Sequence, residues 1–130
     1  VTTRRESMTA PGAPPAVGPY SHAVKAGGLL FCSGQLPVDP DSGQVVEGSV
    51  ADQARRCLDN LRVVCAAAGA QLTDVVRVGV YVTDMAVFAE VNEVYAAYFD
   101  DDPPARTTIA VAGLPLGAQV ELDAVVALPG

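Results

Sequence analysis

Hydrophobic positions recur along this chain with two different periods. Across residues 50–68, Ala54, Cys57, Leu58, Leu61, Val64, Cys65 and Ala68 follow one another at steps of three and four, the repeat of a helix with one apolar face. Ser49 with Asp52 has the spacing of a capping box, and Gly69 supplies a stop. Residues 75–83 (VVRVGVYVT) alternate instead, Val76, Val78, Val80 and Val82 against Arg77, Gly79 and Tyr81, which predicts a strand with one buried face. Asp84 can then cap a second helix over residues 85–99, with Phe88, Val91, Tyr95 and Phe99 on its buried stripe.

Shorter patterns complete the outline. Proline and glycine crowd the first twenty residues (APGAPPAVGPY), so at most a short strand near residues 5–9 is expected before the regular core. Residues 28–34 (GLLFCSG) form an apolar run bounded by glycine and read as a buried strand, with a hairpin-like connection over VDPDSGQV after it. Two strands, at residues 106–111 and 119–128, end the chain. Strands, helix, strand, helix and two strands predict one α+β domain over residues 1–130 with both helices on one sheet face. The other face then lacks a cover, and oligomerisation is the simple way to supply one.

Composition narrows the function. Fifteen acidic residues against eight basic ones give a net charge of -7, with no Lys/Arg cluster, so nucleic acid is disfavoured as a partner. No apolar run approaches the roughly 20 residues of a membrane span, and VTTRRESMTA lacks the core of a signal peptide, which points to a soluble, cytoplasmic protein with no membrane partner. Cys32, Cys57 and Cys65 sit in apolar contexts without redox or zinc spacing and read as reduced core thiols. His22 is the only histidine, which excludes a histidine-rich metal site and disfavours a Ser-His-Asp triad. No phosphate loop, dinucleotide fingerprint or nucleophile elbow is present, so neither metal nor cofactor is expected.

The densest chemistry lies in PPARTTIAV and the strand after it. Arg106 is a permanent cation at a strand start, suited either to a bidentate grip on a small anion or to a structural pairing. Arg106 and Thr108 share a strand face. Glu121 and Asp123 share a face of the last strand, where they line a solvated edge, pair with Arg77 or Arg106, or take a catalytic role. Tyr20 and Ser33 fit turn positions and ligand-orienting positions alike. Asn92, a poor helix former in mid-helix, fits a pocket, an interface or an exposed site.

Taken together, GPYSHAV from Gly18, FCSGQLPVDPDSGQVV from Phe31, DQARRCLDNL, VNEVYAAYF from Val91 and PPARTTIAVAGLPLGAQVELDAVVA from Pro103 resemble the Rid family of reactive intermediate deaminases, also called the YjgF family. The resemblance covers almost the whole chain. It implies a chorismate-mutase-like α+β fold, a single mixed sheet with two helices on one face, and a homotrimer with a central barrel of sheets and ligand clefts between subunits. It further implies deamination of 2-imino acids such as 2-iminobutanoate and 2-iminopropanoate, and their enamine tautomers, to 2-keto acids and ammonia.

Carried over by position, the resemblance places the family's carboxylate-binding arginine on Arg106 and its water-positioning carboxylate on Glu121. The tyrosine of GPY falls on Tyr20, the serine of SGQ on Ser33 and the helix asparagine on Asn92. Two departures stand out: His22 where glutamine is common, and Thr108 where many members carry cysteine. An Arg106 clamp with a water oriented by Glu121 needs no covalent intermediate. The alternatives are a deaminase specialised for one pathway, such as an aminomuconate-type substrate with His22 and Thr108 tuning the pocket, and a non-enzymatic ligand-binding or holdase protein. Family members have also been assigned ribonuclease roles, against which the acidic balance speaks.

Overall fold

A computed structural model describes residues 4–99 and 101–130. In chain order the elements are β1 (Glu6–Met8), β2 (Ala23–Ala26), β3 (Leu29–Gln35), α1 (Val50–Ala67), β4 (Val75–Val82), α2 (Phe88–Tyr98), β5 (Ala105–Ala110) and β6 (Val120–Ala127). They form one six-stranded sheet in the order β1-β2-β3-β6-β4-β5, in which β4 and β5 are parallel and the remaining pairs antiparallel. The last strand therefore lies in the middle of the sheet, between β3 and β4. Both helices cover one face, and no helix among the described residues is long and apolar enough to cross a membrane.

Helix α1 follows its sequence signals. The Ser49 side chain accepts from the Asp52 N–H while the Asp52 carboxylate accepts from the Ser49 N–H, so two end donors are satisfied reciprocally. At the other end the Gly69 and Ala70 N–H groups donate to the Ala66 and Cys65 carbonyls, a Schellman closure that requires a left-handed residue, and Gly69 has φ +78. The inward face buries Ala54, Cys57, Leu58, Leu61, Val64 and Cys65 against the sheet. Full burial of each large aliphatic side chain contributes about 1.5–3 kcal/mol. The three thiols are free and buried, in keeping with their apolar contexts. The start of α1 is tied down further by Glu90 of α2, which accepts from the Ala51 N–H at 3.0 Å.

Four local expectations are corrected. Strand β2 is missing from the sequence outline because its four residues are short and follow a proline-rich segment; Gly27 (φ +59) and Gly28 (φ +77) form the two-residue turn into β3 rather than the start of that strand. Val76 is not on the buried face: the pairing of β4 with β6 shifts between Val75 and Arg77, so Val75 turns inward while Val76 is 44% exposed. The second helix is preceded by a tight turn, Met85–Val87, capped by Asp84, and becomes α-helical only at Phe88. Phe88 itself is not on the buried stripe of α2, where Val94 joins Val91 and Tyr95 instead.

His22, which one alternative has tuning the pocket, lies elsewhere. It is buried, with Nδ1 accepting from the Ala10 N–H at 2.8 Å and Nε2 donating to the Pro14 carbonyl at 2.8 Å. A main-chain N–H can only donate and a carbonyl can only accept, so these partners fix the tautomer. The ring fastens the N-terminal segment to the sheet and does not line the pocket.

Asn60 is the polar counterpart of this fastening. It is fully buried, and its Nδ2 donates to the Leu36 and Val38 carbonyls at 3.1 and 2.9 Å while Oδ1 accepts from Arg56. Asn60→Ala strands two buried carbonyls and is expected to cost about 2–3 kcal/mol, read as a lower urea midpoint at fixed protein concentration.

Candidate functional site

The residues singled out by sequence fall into two groups on opposite faces of the sheet. Strand β6 alternates strictly: Val120, Leu122, Ala124 and Val126 are buried under the helices, while Glu121 and Asp123 point to the open face. Arg106 is paired with Val78 and Thr108 with Val80, both inward-facing, so Arg106 and Thr108 stand on the helix side of the edge strand β5. Within one chain Arg106 and Glu121 therefore do not meet.

The first group is an open hollow of about 360 Å³ lined by Val17, Tyr20, Ser33, Gly34, Pro115 and Glu121. The Ser33 hydroxyl donates to the Ser21 carbonyl at 2.6 Å, and the Tyr20 hydroxyl accepts from the Val17 N–H at 3.2 Å, which holds the GPYS turn over the end of β3. Strand β3 bulges here: Cys32 is opposite Ala124 and Gln35 opposite Leu122, leaving Ser33 and Gly34 to face a single β6 residue. Gly34 leaves room for the carboxylate where it now lies: a Cβ there would lie 2.5 Å from Oε2 of Glu121 and push that side chain aside. The opposite lip carries Leu116 at φ 60, a left-handed conformation that costs a non-glycine residue about 1–2 kcal/mol.

Glu121 is half-buried, and desolvation, followed by repulsion from Asp123, raises its carboxyl above the ordinary glutamate value. The pairing of Glu121 or Asp123 with Arg77 or Arg106, one of the sequence expectations, is not found among the described residues: the ion pairs there are Arg55 with Asp52 and Arg62 with Asp59.

The second group centres on Arg106. Its guanidinium carbon lies 4.7 Å from the Tyr95 ring centre and 5.7 Å from that of Phe88, an aromatic platform supplied by α2. Asn92 is half-buried on α2, four residues after Phe88 and three before Tyr95, in the same side-chain row. Two hydroxyls of this group, Tyr95 Oη and Thr108 Oγ1, are buried without a hydrogen-bond partner among the described residues. Burial raises the Tyr95 hydroxyl above its ordinary value, and the Arg106 charge works in the opposite direction. A cation on an aromatic shelf beside unsatisfied hydroxyls can take a carboxylate with a further polar substituent.

Sequence reasoning missed Phe88, Tyr95 and Gly34 as site residues. For Tyr95 a signal existed, since it follows Asn92 by one helical turn. Gly34 is legible only once Glu121 is seen to lean over it. A separate shallow hollow, lined by Leu72, Thr73, Tyr98, Phe99, Asp101 and Asp102, holds acids and no cation.

Because the folded chain raises the Glu121 carboxyl above its ordinary value of 4.5, it binds that proton more tightly than the unfolded chain does. The stability linked to Glu121 is thus fully present below about pH 4.5 and is lost as pH rises through the raised folded value. Glu121→Gln is expected to match the wild type in acid and to exceed it at neutral pH, checked by urea midpoints measured at both.

Comparison with known proteins places these halves in a family. The family model described as Endoribonuclease L-PSP matches residues 11–128. A RutC family protein of Pyrococcus horikoshii is 45% identical over 121 residues, spanning 93% of this chain and 96% of its own. The mouse protein named 2-iminobutanoate/2-iminopropanoate deaminase is 42% identical over 121 residues, spanning 93% of this chain and 90% of its own. Among solved structures, RidA from the Antarctic bacterium Psychrobacter sp. PAMC 21119 has a TM-score of 0.90 at 40% identity, covering 95% of this chain and 99% of that one. An edge arginine on an aromatic shelf, a bulged SGQ strand under a glutamate and these matches along nearly the whole chain agree: the protein belongs to the Rid (YjgF) family, whose sequence model carries the endoribonuclease L-PSP description.

Proposed function

We propose that this protein is an imine deaminase that hydrolyses 2-iminobutanoate, 2-iminopropanoate and related 2-imino acids to 2-keto acids and ammonia, in clefts completed between copies of the chain in a homotrimer. The observation that carries this reading is the division of the site: an anion anchor and a proton-transfer group stand on opposite faces of one sheet. The Glu121 half opens onto a hollow, and each half supplies what the other lacks. Exposed apolar residues Phe31 and Ile109 on the open face, at 46% and 45%, favour its being covered by further copies. The name of the mouse relative supports the substrate class.

In this reading Arg106 grips the substrate carboxylate in a two-point contact, with the Thr108 and Tyr95 hydroxyls beside it and Asn92 on the adjoining helix face. The imine carbon then faces Glu121 of another copy. A water adds to the protonated C=N carbon and gives a proton to the Glu121 carboxylate. The carboxylic acid so formed returns that proton to the amine nitrogen of the tetrahedral adduct. The C–N bond then breaks with its electron pair leaving on ammonia while the adduct hydroxyl gives its proton to the regenerated Glu121 carboxylate, so that its oxygen becomes the carbonyl of the keto acid. A carboxyl raised by burial suits this two-way transfer near neutral pH. The unsatisfied Thr108 hydroxyl, standing where many relatives carry cysteine, favours a second, narrower reading within the same chemistry: a pathway-specific substrate with its own polar substituent.

Arg106→Ala is expected to lower kcat/KM for 2-iminobutanoate, generated in situ by an amino-acid oxidase, by about 100-fold or more, because a charge-assisted bidentate contact is lost. A mixing experiment tests the division of the site. Arg106→Ala and Glu121→Gln proteins, each nearly inactive, are unfolded together and refolded at equal concentration; about one quarter of the sites then receive both intact groups if each site draws them from two copies. Recovery of roughly that share of activity is expected, and no recovery would sink the shared cleft.

A further inference from the structure

The open face carries one acid that the chemistry above leaves unused. Asp123 follows Glu121 by two residues on β6 and faces the same way, so the two carboxylates are spaced by roughly 7 Å of extended chain. Asp123 is held from β4: the Tyr81 hydroxyl donates to its Oδ2 at 2.9 Å, while Oδ1 is buried without a partner. Both side chains lean over Gly79, where a Cβ would collide with Oδ1 of Asp123 and lie 2.7 Å from the Tyr81 hydroxyl oxygen. Two glycines thus cradle two carboxylates, Gly34 beneath Glu121 and Gly79 beneath Asp123. The register explains the arrangement: Glu121 is directly opposite Tyr81 and Asp123 directly opposite Gly79, so the tyrosine crosses diagonally to reach the aspartate.

Few other charges reach this corner. From β4 there is Arg77, whose guanidinium donates to Thr107 Oγ1 at 3.3 Å rather than to a carboxylate. The N-terminal segment offers Tyr20; β3 offers Ser33 and Gly34, neither charged; β5 offers Thr107 and Ile109. Behind the strand, the Cys57 thiol of α1 donates to the Val120 carbonyl.

We propose that Asp123, held by the Tyr81 hydroxyl in the hollow over Gly79, is a positioning residue whose fixed negative charge lets Glu121 both accept the proton of the attacking water and deliver it to the departing nitrogen. Repulsion from Asp123 adds to burial in raising the Glu121 carboxyl. A more acidic Glu121 would be the weaker base for the first transfer. The Tyr81 hydrogen bond holds the Asp123 carboxylate in place over Gly79. This role rests on the deaminase reading for its reaction, whereas the coupling of the two carboxylates is measurable without any substrate.

The test compares wild type with Asp123→Asn, which removes the charge at nearly constant shape, and Tyr81→Phe, which removes one hydroxyl and keeps the variant set usable if Asp123→Asn misfolds. Carbon-13 NMR titration of glutamate carboxyls, with Glu121→Gln to assign the signal, is expected to show the Glu121 midpoint moving to lower pH in Asp123→Asn and less so in Tyr81→Phe. In hydrolysis of 2-iminobutanoate the acidic limb of kcat should move the same way. At neutral pH kcat should fall about three- to tenfold with KM within about twofold, and Asp123→Glu should restore most of it. An unmoved midpoint with active wild type overturns the proposal and leaves the deaminase reading intact. A moved midpoint with an unmoved limb overturns the positioning role. Wild type that turns over no imine overturns the reaction itself, while the titration still decides the coupling.

Discussion

The strict alternation of β6 is the constraint on which the rest of this structure depends. Its even-numbered residues, Val120, Leu122, Ala124 and Val126, form the floor on which α1 rests, and its odd-numbered ones carry the carboxylates. Because β6 pairs with β3 on one side and β4 on the other, a slip of one residue would bring Glu121 and Asp123 under the helices and expose the apolar set. Burying two unpaired carboxylates in that way would cost far more than any neighbouring contact supplies. The register is thus held by the hydrophobic effect and enforced by the acids.

The same two-sidedness explains why the site is split. An edge-strand arginine reaches the helix side and finds aromatic cover from α2, whereas a central-strand glutamate on the other side finds a bulged neighbour and a glycine. A single sheet cannot bring its two faces together, so a cleft that uses both needs a second copy. Oligomeric assembly then does two jobs in the proposed function, covering apolar surface and completing the chemistry. The family match runs along nearly the whole chain, over the strands that carry both groups.

Within that frame, small residues decide where charge can lie. Gly34 and Gly79 have backbone conformations open to other residues, and what they provide is space: side chains at either would strike a carboxylate. His22 and Asn60 show the opposite use of polarity, each fully partnered and each fastening an irregular segment to the core. Polar groups with complete partners hold the fold together here. Those left incomplete, Thr108, Tyr95 and Asp123, gather around Arg106 and Glu121.

Much of the architecture could be read from the chain itself, because long elements advertise their period. Helix α1, with its capping box and glycine stop, and the alternating strands β4 and β6 need only local propensity and amphipathicity to be recognised, and the family motifs bring Arg106, Glu121, Tyr20, Ser33 and Asn92 to attention. Short elements and side-chain destinations were not legible. Strand β2 owes its existence to pairing on both edges, the inward turn of Val75 to a bulge, and the place of His22 to carbonyl and amide partners eight and twelve residues away. Local pattern determined which residues of α1 and β6 face inward; only tertiary structure decided that Arg106 and Glu121 stand on opposite sides of the sheet, because strand order and register are set by contacts between segments far apart in sequence.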